Sequence, residues 1–168
     1  MNIVLTGLRG SGKTKIGKLL SEKLGWKLIN SDTLIEKHEN SPIRTIVETK
    51  GWKYFREIEN KIIKDLKNTD QTIISLGGGA ILNIENEKII KKNSKIIYLH
   101  EKPETCAKRI LKDKNRPPLT KKTSIEEEIK QLYKERNSHY SKSANIIFHR
   151  TDNLEKDVDE IIKDLGIP

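Results

Sequence analysis

The chain of 168 residues contains one cysteine, Cys106. A single thiol excludes an internal disulfide framework and a cysteine cluster for zinc. It reads as a small buried apolar residue rather than a nucleophile. No apolar run approaches the roughly 18 residues that cross a bilayer. The stretch Met1–Thr6 carries neither the basic region nor the apolar core of a secretory leader. A cytoplasmic protein with no membrane partner is therefore expected. Arginine is also scarce: of 33 Lys plus Arg residues only seven are Arg, at 9, 44, 56, 109, 116, 136 and 150. The net charge of +9 is spread as lysine along the whole chain and mixed with 24 acids. No dense basic block with interleaved aromatics occurs, so the charge reads as a solvated surface and not as a nucleic-acid site. Where lysine supplies the generic charge, each arginine is a candidate for a planar, bidentate contact with carboxylate or phosphate.

Leu, Ile, Val and Phe total 46 residues, enough for a folded core. The length suits one domain spanning 1–168. Short apolar runs alternate with helical patterns. Strands are expected at Ile3–Thr6, Lys27–Asn30, Thr72–Leu76, Lys95–Leu99 and Asn145–Phe148. Helices are expected at Thr14–Leu24, Asp32–His38, Pro42–Thr49, Trp52–Leu66, Ile84–Lys92 and Pro103–Leu111. A long helix should begin at the Ser124…Glu127 capping box and run to about Ser141. A final helix should begin at Asp152 and Glu155, with Val158, Ile161, Ile162 and Leu165 on one face. The polar segment Lys112–Lys122, with Pro117-Pro118, reads as a loop. Alternation of this kind predicts an α/β fold with a five-stranded parallel sheet and helices on both faces, in three layers.

Gly7-Leu8-Arg9-Gly10-Ser11-Gly12-Lys13-Thr14 matches G-x-x-x-x-G-K-[ST] between a strand and a helix. Such a loop turns successive backbone N–H groups toward one anion, and the helix start adds its positive end. Lys13 can reach the β- and γ-phosphates, and the Thr14 hydroxyl can ligate Mg²⁺. Arg9, Gly10, Ser11, Gly12 and Lys15 complete the expected nucleotide contacts. The D-x-x-G and N-K-x-D motifs of a GTPase are absent, and no apolar strand ends in a Walker B acid.

The remaining motifs resemble those of the shikimate kinase family. They are Asn30-Ser31-Asp32 followed by Ile35-Glu36, then Phe55-Arg56-x-x-Glu59 and Gly77-Gly78-Gly79. After these come Arg109 with Arg116-Pro117 seven residues on, and Arg136, Tyr140 and Ala144 at four-residue spacing. They cover most of the chain in the family's order. The resemblance implies transfer of the ATP γ-phosphate to the 3-hydroxyl of shikimate, with Mg²⁺, in aromatic amino-acid (chorismate) biosynthesis. By similarity, Arg56 and Arg136 clamp the substrate carboxylate, and Glu59 orients Arg56. Asp32 binds ring hydroxyls and takes a proton, and Gly77, Gly78 and Gly79 bring backbone close to the ring. Arg109 packs on adenine. Arg116, in a lid at about 112–122, closes over the phosphates and offsets transition-state charge beside Lys13. The helical region at about 32–60 holds the substrate, and a monomer is expected.

Taken singly, Asp32 could cap the helix after it, the three glycines could be a plain turn, and Arg136 could make a surface ion pair. The chain also departs from the family at two points. Asn30 replaces the first carboxylate of the Asp-x-Asp pair near the metal, and Trp52 follows Gly51 where the family has Glu. The second adenine contact falls near Arg150, Thr151 and Asn153 without assignment. Two other classes share parts of the pattern: a P-loop kinase for gluconate or nucleoside monophosphates, and a non-catalytic nucleotide- or nucleic-acid-binding protein.

Overall fold

A computed structural model describes residues 1–112, 118 and 124–167. The expected lid, and Arg116 with it, lies outside the described residues, apart from Lys112 and Pro118. Five strands form one parallel sheet: β1 (Asn2–Thr6), β2 (Lys27–Asn30), β3 (Thr72–Ser75), β4 (Ser94–His100) and β5 (Ile146–His149), in the order β2-β3-β1-β4-β5. Every residue of β1 is buried, as its central place requires. Side-chain alternation along β1 sends Ile3 and Leu5 to one layer and Val4 to the other.

On the Ile3 face lie α1 (Lys13–Leu24) and α7 (Leu154–Leu165), which bury Ile16, Leu20, Val158 and Ile161. The Val4 face is covered by α3 (Ile43–Asp65), α4 (Ile84–Lys92), α5 (Pro103–Ile110) and α6 (Ile125–Ser143). A satellite core of Ile35, Ile46, Phe55 and Ile62 joins α2 (Ser31–Glu39) to α3. The protein therefore has the three-layer P-loop kinase fold.

The two helices expected at Pro42–Thr49 and Trp52–Leu66 are one span, α3, broken at Gly51 with φ 80° and ψ 168°. That conformation is open almost only to glycine. Ser124 caps α6 by accepting from the Glu127 backbone N–H, as the capping box predicts. The start of α7 differs from expectation: Asn153, not Asp152, supplies the cap, accepting from Lys156 N. The carboxylate of Asp157 in the first turn is turned inward instead. Cys106 is fully buried, and burial pushes its thiol up to about 11, so it is not a nucleophile at neutral pH.

The register aligns Asn30 with Ser75, Leu5 with Ser75, Thr6 with Tyr98, and His100 with His149. All five strands thus end at one edge of the sheet. The phosphate loop, Asp32, the glycine turn and Arg150 all follow from that edge, where open α/β sheets bind ligands.

Candidate active site

The loop that follows β1 opens onto a cavity of about 860 Å³. Its lining includes Gly10, Gly12, Lys13, Thr14 and Lys15 from the loop and α1, and Asn30 and Asp32 from the end of β2. Gly78, Arg109 and Arg150 reach it from three other elements. Lys13 folds back on its own loop, donating to the carbonyls of Gly7 at 2.9 Å and Leu8 at 2.8 Å. Lys13 as a whole is 9% exposed and its ammonium contacts are buried, so an anion entering the loop meets a desolvated charge. Arg109 donates to the Gly10 carbonyl at 3.1 Å and pairs with Glu101 at 3.0 Å, which holds it at the cavity wall. Arg9 sends its guanidinium to Glu128 at the start of α6, 2.9 Å away, with both side chains largely buried. Its side chain serves the α6 contact, which leaves its main chain for the loop.

The Thr14 hydroxyl is exposed to the cavity and receives the Asn30 side-chain amide at 3.3 Å. The other end of that amide is occupied, since Asn30 Oδ1 accepts from Thr33 N at 3.2 Å and caps α2. Asn30 therefore turns a donor toward Thr14 and brings no charge. Its capping also corrects the alternative reading of Asp32, which stands in the first turn of α2 with its carboxylate free of the cap.

Across the cavity, Gly78 of the glycine turn forms the wall, and Ser31 fastens that turn. Ser31 Oγ accepts from Gly77 N at 2.9 Å, tying β2 to the turn after β3. None of the three glycines has positive φ; what they provide is room. A Cβ on Gly77 would sit 2.6 Å from Asp32 Oδ1, and one on Gly79 would sit 2.3 Å from Arg56 Nη2. Real carbon atoms do not approach so closely, so a side chain at either position displaces the carboxylate or the guanidinium. Gly78 packs against the phosphate loop, its Cβ position lying 3.3 Å from the Gly7 carbonyl.

Arg56 is held from below. Its Nη1 donates to Glu59 Oε2 at 2.6 Å, and its guanidinium lies 5.1 Å from the Phe55 ring centroid and 5.5 Å from that of Trp52. Trp52 packs edge-on against Phe55, so the residue that departs from the family pattern forms part of the Arg56 bed. Glu59 is 2% exposed, and among the described residues its Oε1 has no hydrogen-bond partner. Burial raises its pKa despite the opposing Arg56 charge. Arg136, on α6, stands beside Glu59 and Tyr140 and favours the ionised form of each. The buried Tyr140 hydroxyl donates to the Gly78 carbonyl at 2.5 Å, so α6 carries both Arg136 and a brace for the glycine turn.

These contacts gather the phosphate loop, Asp32, Gly78, Arg109 and Arg150 around one cavity, with Arg56 packed on Gly79 and Arg136 beside Glu59 next to it. The family model described as shikimate kinase matches residues 9–166. The chain belongs to the shikimate kinase family. It is 43% identical over 145 residues to a shikimate kinase of Sulfurihydrogenibium sp., covering 86% of this chain and 85% of that one. It is 39% identical over 161 residues to the shikimate kinase of Macrococcus caseolyticus, covering 96% and 94%. A shikimate kinase from Acinetobacter baumannii, solved in complex with shikimate, superposes with a TM-score of 0.91 at 31% identity over 99% of this chain and 92% of that one.

Sequence reasoning missed three supports of this site. Tyr140 was legible as a family motif but not as the brace of the glycine turn. Asn30 was read for its missing charge and not as a helix cap, although Asn before a helical pattern signals one. For Arg150, no local pattern shows that its side chain reaches the phosphate loop.

Proposed function

We propose that the protein transfers the γ-phosphate of ATP to the 3-hydroxyl of shikimate. The observation that carries this reading is the glycine turn, which abuts Asp32 through Gly77, Arg56 through Gly79 and the phosphate loop through Gly78. Asp32 and Arg56 both pack against the turn that meets the phosphate loop, which supports reading Arg56 as a carboxylate binder and Asp32 as a proton acceptor. Arg56 and Arg136 would take the substrate carboxylate in charge-assisted, planar hydrogen bonds. Asp32 would bind ring hydroxyls and accept the proton of the one that attacks. The oxygen of that hydroxyl then bonds to the γ-phosphorus, the bond to the β-phosphate oxygen breaks, and ADP leaves. Lys13 and the loop N–H groups would balance the charge that shifts toward ADP. Arg116 has the family's lid role in this proposal. Arg109 would pack on adenine at the mouth of the cavity.

The donor set also suits Mg²⁺, a hard cation that prefers oxygen and keeps much of its water. Thr14 would hold it by its hydroxyl, with a second lone pair left for the Asn30 amide. When bound with ATP, the ion would supply charge stabilisation of the phosphates. Asp32 is the carboxylate on the β2 side of the cavity and would answer both to substrate and to the ion's hydration shell. The protein is proposed to act as a single-domain monomer in the cytoplasm; among the described residues no helix is long and apolar enough to cross a membrane.

A coupled ADP-release assay with shikimate, gluconate and AMP side by side tests the reading. Turnover with shikimate and background rates with the other two are expected. Turnover with AMP alone would sink it.

A further inference from the structure

Arg150 is the residue after β5, and its side chain runs back under the phosphate loop. Its Nη1 donates to the Ser11 carbonyl at 2.7 Å, and its Nε donates to Asp157 Oδ2 at 2.7 Å. The side chains are 3% and 0% exposed. Asp157 is fixed in turn: its Oδ1 accepts from Thr151 N at 3.1 Å and from Thr151 Oγ1 at 2.6 Å. The backbone of Arg150 is anchored as well, its N–H donating to the His100 carbonyl at 3.1 Å. A chain of contacts thus runs from α7 and the end of β4 to one carbonyl of the phosphate loop.

That carbonyl matters because of the peptide plane it belongs to. In a trans peptide the C=O of one residue and the N–H of the next point in opposite directions. Holding the Ser11 carbonyl against Arg150 turns the Gly12 N–H the other way, away from Arg150; in a phosphate loop such N–H groups converge on an anion. Gly12 leaves space for this contact: with φ 92° it carries no side chain, and a Cβ there would lie 2.1 Å from Arg150 Nη1. A buried ion pair is a weak source of stability compared with an apolar pair of the same shape. Stability alone therefore does not account for a salt bridge aimed at a loop carbonyl.

We infer that Arg150, held by Asp157, is a positioning residue for nucleotide binding: it fixes the Ser11–Gly12 peptide so that the Gly12 N–H points at the phosphates. The inference rests on the reading that a nucleotide fills this loop. Lysine cannot replace arginine here, since one point donor does not bridge Asp157 and Ser11 in a fixed plane.

The test is the pair of substitutions Arg150→Met with Asp157→Asn. It leaves no unpaired buried charge and keeps an amide oxygen for the Thr151 contacts. ADP is titrated into the full chain by calorimetry, with the Gly12 amide resonance followed by NMR, and shikimate is titrated separately. The double variant is expected to melt near the parent and to bind ADP about tenfold or more weakly, the scale of one charge-assisted hydrogen bond. Its Gly12 amide should lose most of the ADP-induced shift, and shikimate affinity should stay within about twofold. ADP affinity and Gly12 shift equal to the parent's would overturn the inference, as would equal losses for ADP and shikimate. If the double variant does not fold, Arg150→Lys is judged by the same titrations and criteria. Failure of the parent itself to bind ADP would remove the nucleotide reading, and this inference with it.

Discussion

At the scale of single residues, the site depends on how each polar group is divided among its partners. Arg136 and Arg56 have the same part in the proposed carboxylate clamp, but their supports differ. Arg56 pairs with the buried Glu59, so its removal would cost stability along with the proposed substrate contact. Arg136→Ala is the cleaner test. It should raise KM for shikimate by about 10- to 100-fold, the worth of a hydrogen bond between charged groups, with kcat changed much less. Steady-state kinetics at saturating ATP measure both. Asn30 poses a different question, because its oxygen caps α2 while its amide faces Thr14. Asn30→Asp keeps an N-cap acceptor and adds a negative charge beside the Thr14 hydroxyl. Half-maximal ADP binding, followed by calorimetry across a Mg²⁺ series, should then need several-fold less Mg²⁺. An unchanged series would mean that this position does not sense the ion.

At the scale of elements, the break in α3 separates the segment packed on α2 from the segment that carries Arg56. The first part of α3 packs Ile46 on α2, while the second carries Phe55, Arg56 and Glu59 toward the glycine turn. Gly51 joins the two, and nothing lies within 4 Å of where its Cβ would be. Gly51→Ala therefore meets no clash, only backbone strain, and should destabilise the protein by about 1–3 kcal/mol. Urea unfolding measures the loss, and a change below about 0.5 kcal/mol would show that the break relaxes without cost. The capping box at Ser124, the two helical patterns around Gly51 and the strand before the glycine loop were all legible in the sequence, because each depends on neighbours a few residues apart. The cap of α7 falls at Asn153, one residue later than the sequence pattern suggests. Asp152 and Asn153 are both good capping residues, and the one whose side chain meets the Lys156 N–H is Asn153.

At the scale of the whole molecule, the sheet order β2-β3-β1-β4-β5 brings four separate chain segments to one edge, and the electrostatics there depend on burial. Glu59 illustrates the sign. Desolvation raises its pKa in the folded protein above the ordinary carboxylate value, so the native state holds this proton more tightly than the unfolded chain does. The stability associated with that proton is fully present below the unfolded pKa and is lost as pH rises through the folded one. The unfolding free energy of the parent minus that of Glu59→Gln should therefore fall as pH rises from about 4 to about 7. Denaturant titrations across that range measure it, and a difference that rises with pH would mean that Arg56 outweighs the burial.

The sequence by itself determined the phosphate loop, the alternation of strands and helices, and the family motifs that name Asp32, Arg56, the three glycines and Arg136. These are local signals, set by spacing, capping and glycine placement over a few residues. Only the tertiary structure decided what holds them: Ser31 on Gly77, Tyr140 on Gly78, and Arg150 on Ser11, across separations of 46, 62 and 139 residues. Such contacts exist because a parallel sheet returns every strand end to the same edge, and no short-range pattern encodes which side chain will meet which carbonyl there.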